Sequence, residues 1–130
     1  MARHMTNSFL VCVNFALVAK DVTATLQQNG MGKPLIATTQ PEAIVKLQAL
    51  GHDDVLRIAV VQMQPELFAA SPLSIALKSL CVPVILLVDG PVPEAADQVC
   101  PVLPLPFFTE DLERMLTGLS LLSQQRPVRG

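Results

Sequence analysis

Five short apolar runs, separated by longer segments with helical spacing, constrain the fold of this chain more than any other feature. They cover residues 9–13, 34–38, 57–61, 84–88 and 102–105, and most of their residues are Val, Ile or Leu. Strands of a parallel sheet that is covered on both faces have this near-continuous apolar character. Alternation of such strands with helices implies right-handed crossover connections. The sequence therefore predicts an α/β fold in which helices cover both faces of a five-stranded parallel sheet.

Capping signals mark where three of the helices begin. Thr39 precedes Glu42 by three residues, which is the spacing of a capping box, and we expect Gly51 to close that helix. Ser71 stands directly before a proline and a helical apolar stripe, so it predicts a second helix start. Thr109 is followed by two acidic residues, which are favourable at the start of a helix, so we expect it to cap the last helix.

Prolines constrain the strand order. Pro104 lies inside the last apolar run and has no N–H to donate, so that strand belongs at an edge of the sheet. The flavodoxin-like order 2-1-3-4-5 places strand five at an edge, and we predict that order. Residues 94–99 lie between prolines, and we predict a short helix of mostly polar or small residues there.

The length of 130 residues suits one compact domain that needs no disulfide or metal to stabilise it. Hydrophobic residues make up 51% of the chain and charged residues 15%, which excludes a disordered protein. We assign residues 6–123 to the domain. Residues 1–5 resemble an expression remnant because a second Met follows a His there, and residues 124–130 predict a tail or linker because they lack an apolar pattern.

The charge balance argues against nucleic acid as a partner. Three of the nine Lys and Arg residues, Arg3, Arg126 and Arg129, lie in the end segments. The body of the chain therefore has six basic residues and eleven acidic ones. A domain with this excess of negative charge repels phosphates. The chain also lacks Trp and Tyr, which would stack on bases. We therefore expect no nucleic-acid binding by this domain.

No segment of the sequence predicts a membrane span or a disulfide framework. The longest stretch without charged side chains, residues 4–19, is interrupted by polar residues and is too short to cross a bilayer. Cys12, Cys81 and Cys100 have no Cys-x-x-Cys spacing and stand among aliphatic residues, so we expect buried, reduced thiols rather than metal ligands. These features predict a cytoplasmic protein without a metal or other cofactor.

The candidate site follows from the sheet, because ligands of open α/β sheets bind beyond the carboxyl ends of the strands. The residues that follow the apolar runs are mostly neutral. They are Asn14 and Phe15, Gln62 and Met63, Val88 and Asp89, and Leu105. Acid–base chemistry or cation binding at this edge would therefore have a single carboxylate available, that of Asp89.

Strand by strand, the chain resembles the receiver domains of bacterial response regulators. The resemblance extends from about residue 9 to residue 122, and the order and spacing of four stretches carry it. These stretches are FLVCVNF at 9–15, IAVVQMQP at 58–65, VPVILLVD at 82–89 and LPF at 105–107. The resemblance implies the flavodoxin-like fold predicted above and a role in signalling.

In receiver domains, an acidic pair after strand one holds Mg²⁺ and an Asp after strand three accepts a phosphoryl group. A Ser or Thr follows strand four, and a Lys precedes a proline after strand five. This chain departs from that pattern at every position except the proline, Pro106. The resemblance aligns uncharged residues with the lost groups: Asn14 and Phe15 with the acidic pair, Gln62 or Val61 with the phosphate acceptor, Val88 with the hydroxyl residue, and Leu105 with the lysine.

These replacements remove the chemistry of phosphorylation. Phosphoryl transfer to an aspartate needs a carboxylate nucleophile and a hard cation held by oxygen ligands, and Asn14, Phe15 and Gln62 supply neither. We therefore interpret the chain as a degenerate, phosphorylation-independent pseudo-receiver that is not an enzyme. We also expect Phe15, Val88 and Leu105 to fill the former pocket and to give this edge a closed, apolar surface.

For such a domain, the resemblance implies regulation through protein contacts. Receiver-type domains commonly pair through helix four, strand five and helix five, here residues 94–99, 102–105 and 109 onward, so we expect a homodimer through that face. One alternative is a small-molecule sensor in which Asn14, Gln62 and Asp89 supply polar groups, with Met63 and Pro106 as further pocket residues. Another is the N-terminal domain of a longer transcriptional or antitermination regulator.

Overall fold

The computed structural model describes residues 6–51, 53–89, 101–105 and 109–125. Strands and helices alternate along most of this length. The elements are β1 (Thr6–Cys12), α1 (Ala16–Gln28), β2 (Lys33–Ala37), α2 (Gln40–Gln48), β3 (Asp54–Gln62), α3 (Pro65–Ala69), α4 (Pro72–Ser79), β4 (Val84–Asp89), β5 (Val102–Leu105) and α5 (Thr109–Gln125).

All five strands form one parallel sheet in the order β2-β1-β3-β4-β5. This order confirms the predicted flavodoxin-like fold. β5 lies at an edge, as the proline in it predicts, and Pro104 stands opposite Val88 of β4. An edge position tolerates a residue that has no N–H for the ladder.

Two apolar layers, one on each face of the sheet, form the core. Phe9 belongs to the layer that α1 and α5 cover, whereas Leu10 belongs to the layer that α2, α3 and α4 cover. Both side chains are fully buried. Because burial of one such side chain stabilises the fold by about 1.5–3 kcal/mol, β1, an inner strand of the sheet, anchors both layers.

The predicted helix caps at Thr39 and Ser71 are confirmed. The hydroxyl oxygen of Thr39 accepts a hydrogen bond from the Glu42 backbone N–H at 3.3 Å, and that of Ser71 accepts one from the Ser74 N–H at 3.1 Å. Each bond satisfies a backbone donor that the first helical turn leaves without a partner. The capping box has one variation, because the Glu42 carboxylate reaches back to Thr38 instead of Thr39.

β1 and β3 both begin three residues before the apolar runs that predicted them. Their polar first residues, Thr6 and Asp54, pair with each other. This pair lies nearer the amino end of β3 than Ala59, the first residue of β3 that pairs with β4. A register shift between Ser8 and Phe9 leaves Arg57 without a counterpart on β1, which is a β-bulge. Hydrophobic patterning did not predict these extensions, because their first residues are polar and join the sheet through pairing between the two strands.

Several predicted helix boundaries were wrong. α2 ends at Gln48, before Gly51, and α5 begins at Thr109 itself, so that residue lies in the first turn instead of capping it. The short α3 was not predicted. The predicted helix at 94–99 lies outside the described residues, as do residues 1–5 and 126–130. Within the described ranges, none of the helices combines the length and the apolar composition that crossing a membrane requires.

Cys81, which we expected to be buried, is exposed. It follows α4 with φ 56°, and its N–H donates a hydrogen bond to the Lys78 carbonyl oxygen at 3.0 Å. This left-handed residue ends the helix, so its backbone role directs the side chain to the surface. Cys12, by contrast, is buried as predicted.

Two glycines before β2 allow a test of how tightly this segment packs. Gly32 has φ +102°, and a Cβ there would lie 2.1 Å from the Asn7 carbonyl oxygen, whereas Gly30 has φ +74° and open space around it. We expect Gly30→Ala to lower the free energy of unfolding by about 1 kcal/mol, the cost of the backbone conformation alone. Gly32→Ala should lower it by about 3 kcal/mol or more in urea unfolding. Equal losses for the two variants would contradict the close approach of Gly32 to β1.

Candidate functional site

A hydrogen bond joins the loop that follows β1 to the last residue of β3. The backbone N–H of Asn14 donates to the side-chain oxygen Oε1 of Gln62 at 3.1 Å. The sheet register brings these two residues close together, because Cys12 pairs with Val61, the residue just before Gln62. Two of the predicted site residues, Asn14 and Gln62, therefore meet at the carboxyl edge of the sheet.

The structure places the two possible counterparts of a phosphate acceptor differently. Val61 is fully buried and belongs to the core layer under α2, α3 and α4. Gln62 is half-buried and ends β3, with its amide directed to the neighbouring loop. Since adjacent strand residues point to opposite faces, only Gln62 offers its side chain to this edge.

Phe15 does not fill the pocket, so that expectation was wrong. The residue occupies the N-cap position of α1, and its side chain is 52% exposed. The chain leaves the sheet just before it: the Val13 N–H still bonds to the Ala37 carbonyl oxygen at 3.1 Å, and Asn14 is already exposed. With the backbone of this N-cap residue extended, its side chain points towards solvent.

The apolar residues at the ends of β4 and β5 do pack inward. Val88 is 1% exposed, and the half-buried Leu105 packs against the core layer under α1 and α5. Asp89 ends β4, is exposed, and stands opposite Leu105 in the sheet register. Met63 is half-buried against the other core layer, and its N–H donates to the Leu87 carbonyl oxygen at 3.0 Å.

The donor set at this edge does not fit Mg²⁺. That ion needs several oxygen ligands, usually including carboxylates, and Asp89 supplies one. Across the described residues, no group of three or more His, Cys, Asp or Glu side chains is arranged to hold a metal ion. Pro106, the remaining predicted site residue, lies outside the described residues.

A charged network at the end of β2 was not predicted as part of this edge. The Glu42 carboxylate oxygen Oε1 accepts hydrogen bonds from the Thr38 backbone N–H at 2.9 Å and from its hydroxyl at 3.2 Å. The backbone bond, reinforced by the hydroxyl, lowers the pKa of Glu42. Lys46 lies 3.9 Å from the second carboxylate oxygen. The capping-box spacing was the signal in the sequence that could have located this network.

Cys12 lies at the end of β1, but it is not an activated nucleophile. Burial, reinforced by the negative charge of Glu42, raises the pKa of the Cys12 thiol to about 11. The thiol is therefore protonated at neutral pH, and the thiolate is the reactive form of cysteine. This residue acts as a buried apolar side chain.

No protein-family model matches the sequence. No curated protein matches it either. Solved structures do match. The solution structure of SdrG from Sphingomonas melonis Fr1 gives a TM-score of 0.64 at 18% sequence identity, covering 91% of this chain and 98% of that one. The chemotaxis response regulator CheY4 of Vibrio cholerae gives 0.65 at 17% identity, covering 88% and 99%.

The BeF3-activated conformation of SdrG from Pseudomonas melonis Fr1 gives a TM-score of 0.59 at 18% identity, covering 90% of this chain and 98% of that one. This chain has the fold of CheY-like response regulators. The predicted strand order and the solved structures agree on this point. At these identities, the likeness concerns the fold.

Removal of the Gln62 acceptor should loosen the loop after β1. Gln62→Leu leaves the Asn14 N–H without its partner, so we expect the free energy of unfolding to fall by about 1 kcal/mol and the Asn14 amide to exchange with solvent faster. Gln62→Glu retains an acceptor oxygen and should keep Asn14 protected. Gln27→Leu, on the exposed face of α1, is the control for adding apolar surface. Unchanged Asn14 exchange in Gln62→Leu would show that the hydrogen bond does not hold the loop.

Proposed function

We propose that this chain is a non-enzymatic regulatory domain of the receiver type, which signals through protein contacts without being phosphorylated. The receiver-like fold supports the regulatory role. One observation carries the independence from phosphorylation: the Gln62 side-chain oxygen, aligned with the phosphate acceptor, accepts a hydrogen bond from the Asn14 backbone N–H. In this alignment, a neutral amide that is already hydrogen-bonded stands where receiver domains have the carboxylate that accepts the phosphoryl group.

The chemistry of the edge supports this proposal. An amide oxygen is a poor nucleophile towards phosphorus, and Gln62 has no charge with which to attract a cation. Asp89, as a single exposed carboxylate, is a weak site for Mg²⁺. Without a bound cation, nothing neutralises the charge that develops on a transferred phosphoryl group. We therefore propose a domain that requires neither a metal nor another cofactor.

The alternative of a small-molecule sensor has less support. It requires Gln62 and Asn14 to offer hydrogen-bonding groups to a ligand. The Gln62 oxygen already accepts the Asn14 N–H, so a ligand would have to displace this bond.

Incubation with acetyl phosphate and Mg²⁺ tests the absence of phosphorylation. We expect the intact mass of the protein to stay unchanged, because no carboxylate nucleophile lies beside a metal site. Calorimetric titration with Mg²⁺ alone should show no tight binding. A stable mass increase of one phosphoryl group, abolished in Asp89→Asn or in Gln62→Leu, would overturn the proposal.

We further propose that the domain pairs with a second copy through β5 and α5. β5 is an edge strand, Pro104 on it is exposed, and its neighbours Val102 and Leu105 are half-buried, so this edge offers apolar surface. The first turns of α5 carry Glu110 and Asp111 beside Arg114. In a two-fold symmetric pair, the arginine of each copy can face the acidic residues of the other. The third predicted part of this face, residues 94–99, lies outside the described residues.

Sedimentation equilibrium at high micromolar concentration tests this pairing. We expect a dimer for the unmodified protein and weaker association for Arg114→Glu, whose side chain is 77% exposed and therefore does not support the core. Lys78→Glu makes the same charge change on the exposed face of α4 and should leave the association unchanged. A monomer at this concentration, or equal weakening by both variants, would contradict the proposed face.

A further inference from the structure

A cavity opens at the amino edge of the sheet, at the opposite end of β3 from the candidate site. Its volume is about 310 Å³. The lining comes from the end of α2, the start of β3 and the end of α4, and most of its members are aliphatic. They are Leu47, Leu50, Gly51, Asp54, Val55, Leu56, Leu80 and Val82.

The walls of this cavity favour an apolar ligand. Leu47 is buried in the core layer, Leu50, Leu56 and Val82 pack against that layer, and Leu80 at the rim is 47% exposed. A hydrocarbon group that packs against these leucine and valine side chains leaves water and gains free energy. At about 310 Å³, the volume is near the lower limit of ligand cavities, about 300 Å³, which restricts the site to a small molecule.

One charge gives the cavity a preference among small apolar molecules. Among the lining residues that the structure describes, Asp54 is the charged one, and none is Lys or Arg. Its Oδ2 accepts a hydrogen bond from the Gly51 N–H at 2.7 Å, which fixes the carboxylate beside the cavity. Within the described part of the chain, Asp54 forms no ion pair and its Oδ1 has no hydrogen-bond partner. A fixed carboxylate without a counter-ion beside an aliphatic wall is complementary to an alkylammonium ion.

We propose that this cavity binds a small aliphatic ammonium ion, with its alkyl chain among Leu50, Leu56 and Leu80 and its ammonium group at Asp54. An anion would meet the Asp54 charge, and a neutral alcohol would gain only the apolar contact. The site lies at the opposite edge of the sheet from Asn14 and Gln62. The inference is therefore independent of the proposed signalling role and of the pairing face.

An NMR titration of the ¹⁵N-labelled protein with 3-methylbutylammonium at pH 7 tests this site. We expect saturable shifts confined to the amides of residues 51, 54–56 and 80–82, with a dissociation constant of about 1 mM. 3-Methylbutanol has the same hydrocarbon chain without the charge and should bind about fivefold more weakly. Equal affinity for the two ligands, or an absence of saturable shifts in this region, would overturn the proposal.

Two variants separate the charge from the apolar wall. Asp54→Asn keeps an acceptor for the Gly51 N–H, so it should retain the fold. It should weaken binding of the ammonium ion about fivefold and leave the affinity for the alcohol unchanged. Asp21→Asn makes the same change on the exposed face of α1 and should alter the affinity for neither ligand. Leu80→Gln, at an exposed position on the rim, should weaken the binding of both ligands. Unchanged ammonium binding in Asp54→Asn would remove the carboxylate from the site and contradict the proposal.

Discussion

The parallel pairing of β1 with β3 is the interaction on which the rest of this structure depends. β1 is buried on both faces, with Phe9 in one core layer and Leu10 in the other, so it fixes the position of helices on either side. Its register against β3 sets Cys12 level with Val61. Just beyond this pair, Asn14 of the loop after β1 donates its hydrogen bond to Gln62, the last residue of β3. A slip of one residue would turn every side chain of the strand to the opposite face, which the two core layers prevent.

The uncharged contact between Asn14 and Gln62 at the carboxyl end of the sheet has physical consequences for the domain. Clustered carboxylates repel each other, and a site built from them gains stability from the cation it binds. Here a direct hydrogen bond between Asn14 and Gln62 joins the loops without a cation. The Cys12 thiol nearby, with its raised pKa, is protonated and adds no negative charge. The contact between these two strands at this edge therefore needs no metal ion.

The sequence predicted the fold well because its strands are almost continuously apolar and its helices carry clear caps. Thr39 and Ser71 begin helices through local hydrogen bonds, which depend on neighbours in the sequence and so can be read from it. The polar starts of β1 and β3 were missed because strand pairing, a long-range interaction, forms them. The site was partly predicted: Asn14 and Gln62 meet, but Phe15 turns outward. Side-chain direction at a strand-to-helix turn depends on backbone angles that residue types do not specify.

We propose that this edge of the sheet has no phosphoryl chemistry, and beryllofluoride, which mimics a bound phosphoryl group, tests this directly. The amide spectrum of the ¹⁵N-labelled protein is recorded with Mg²⁺ before and after beryllofluoride is added. We expect superimposable spectra, with the signals of the Asn14 and Gln62 amides unshifted. Saturable shifts at those two residues, spreading to the amides of Asp89 and Leu105, would contradict it.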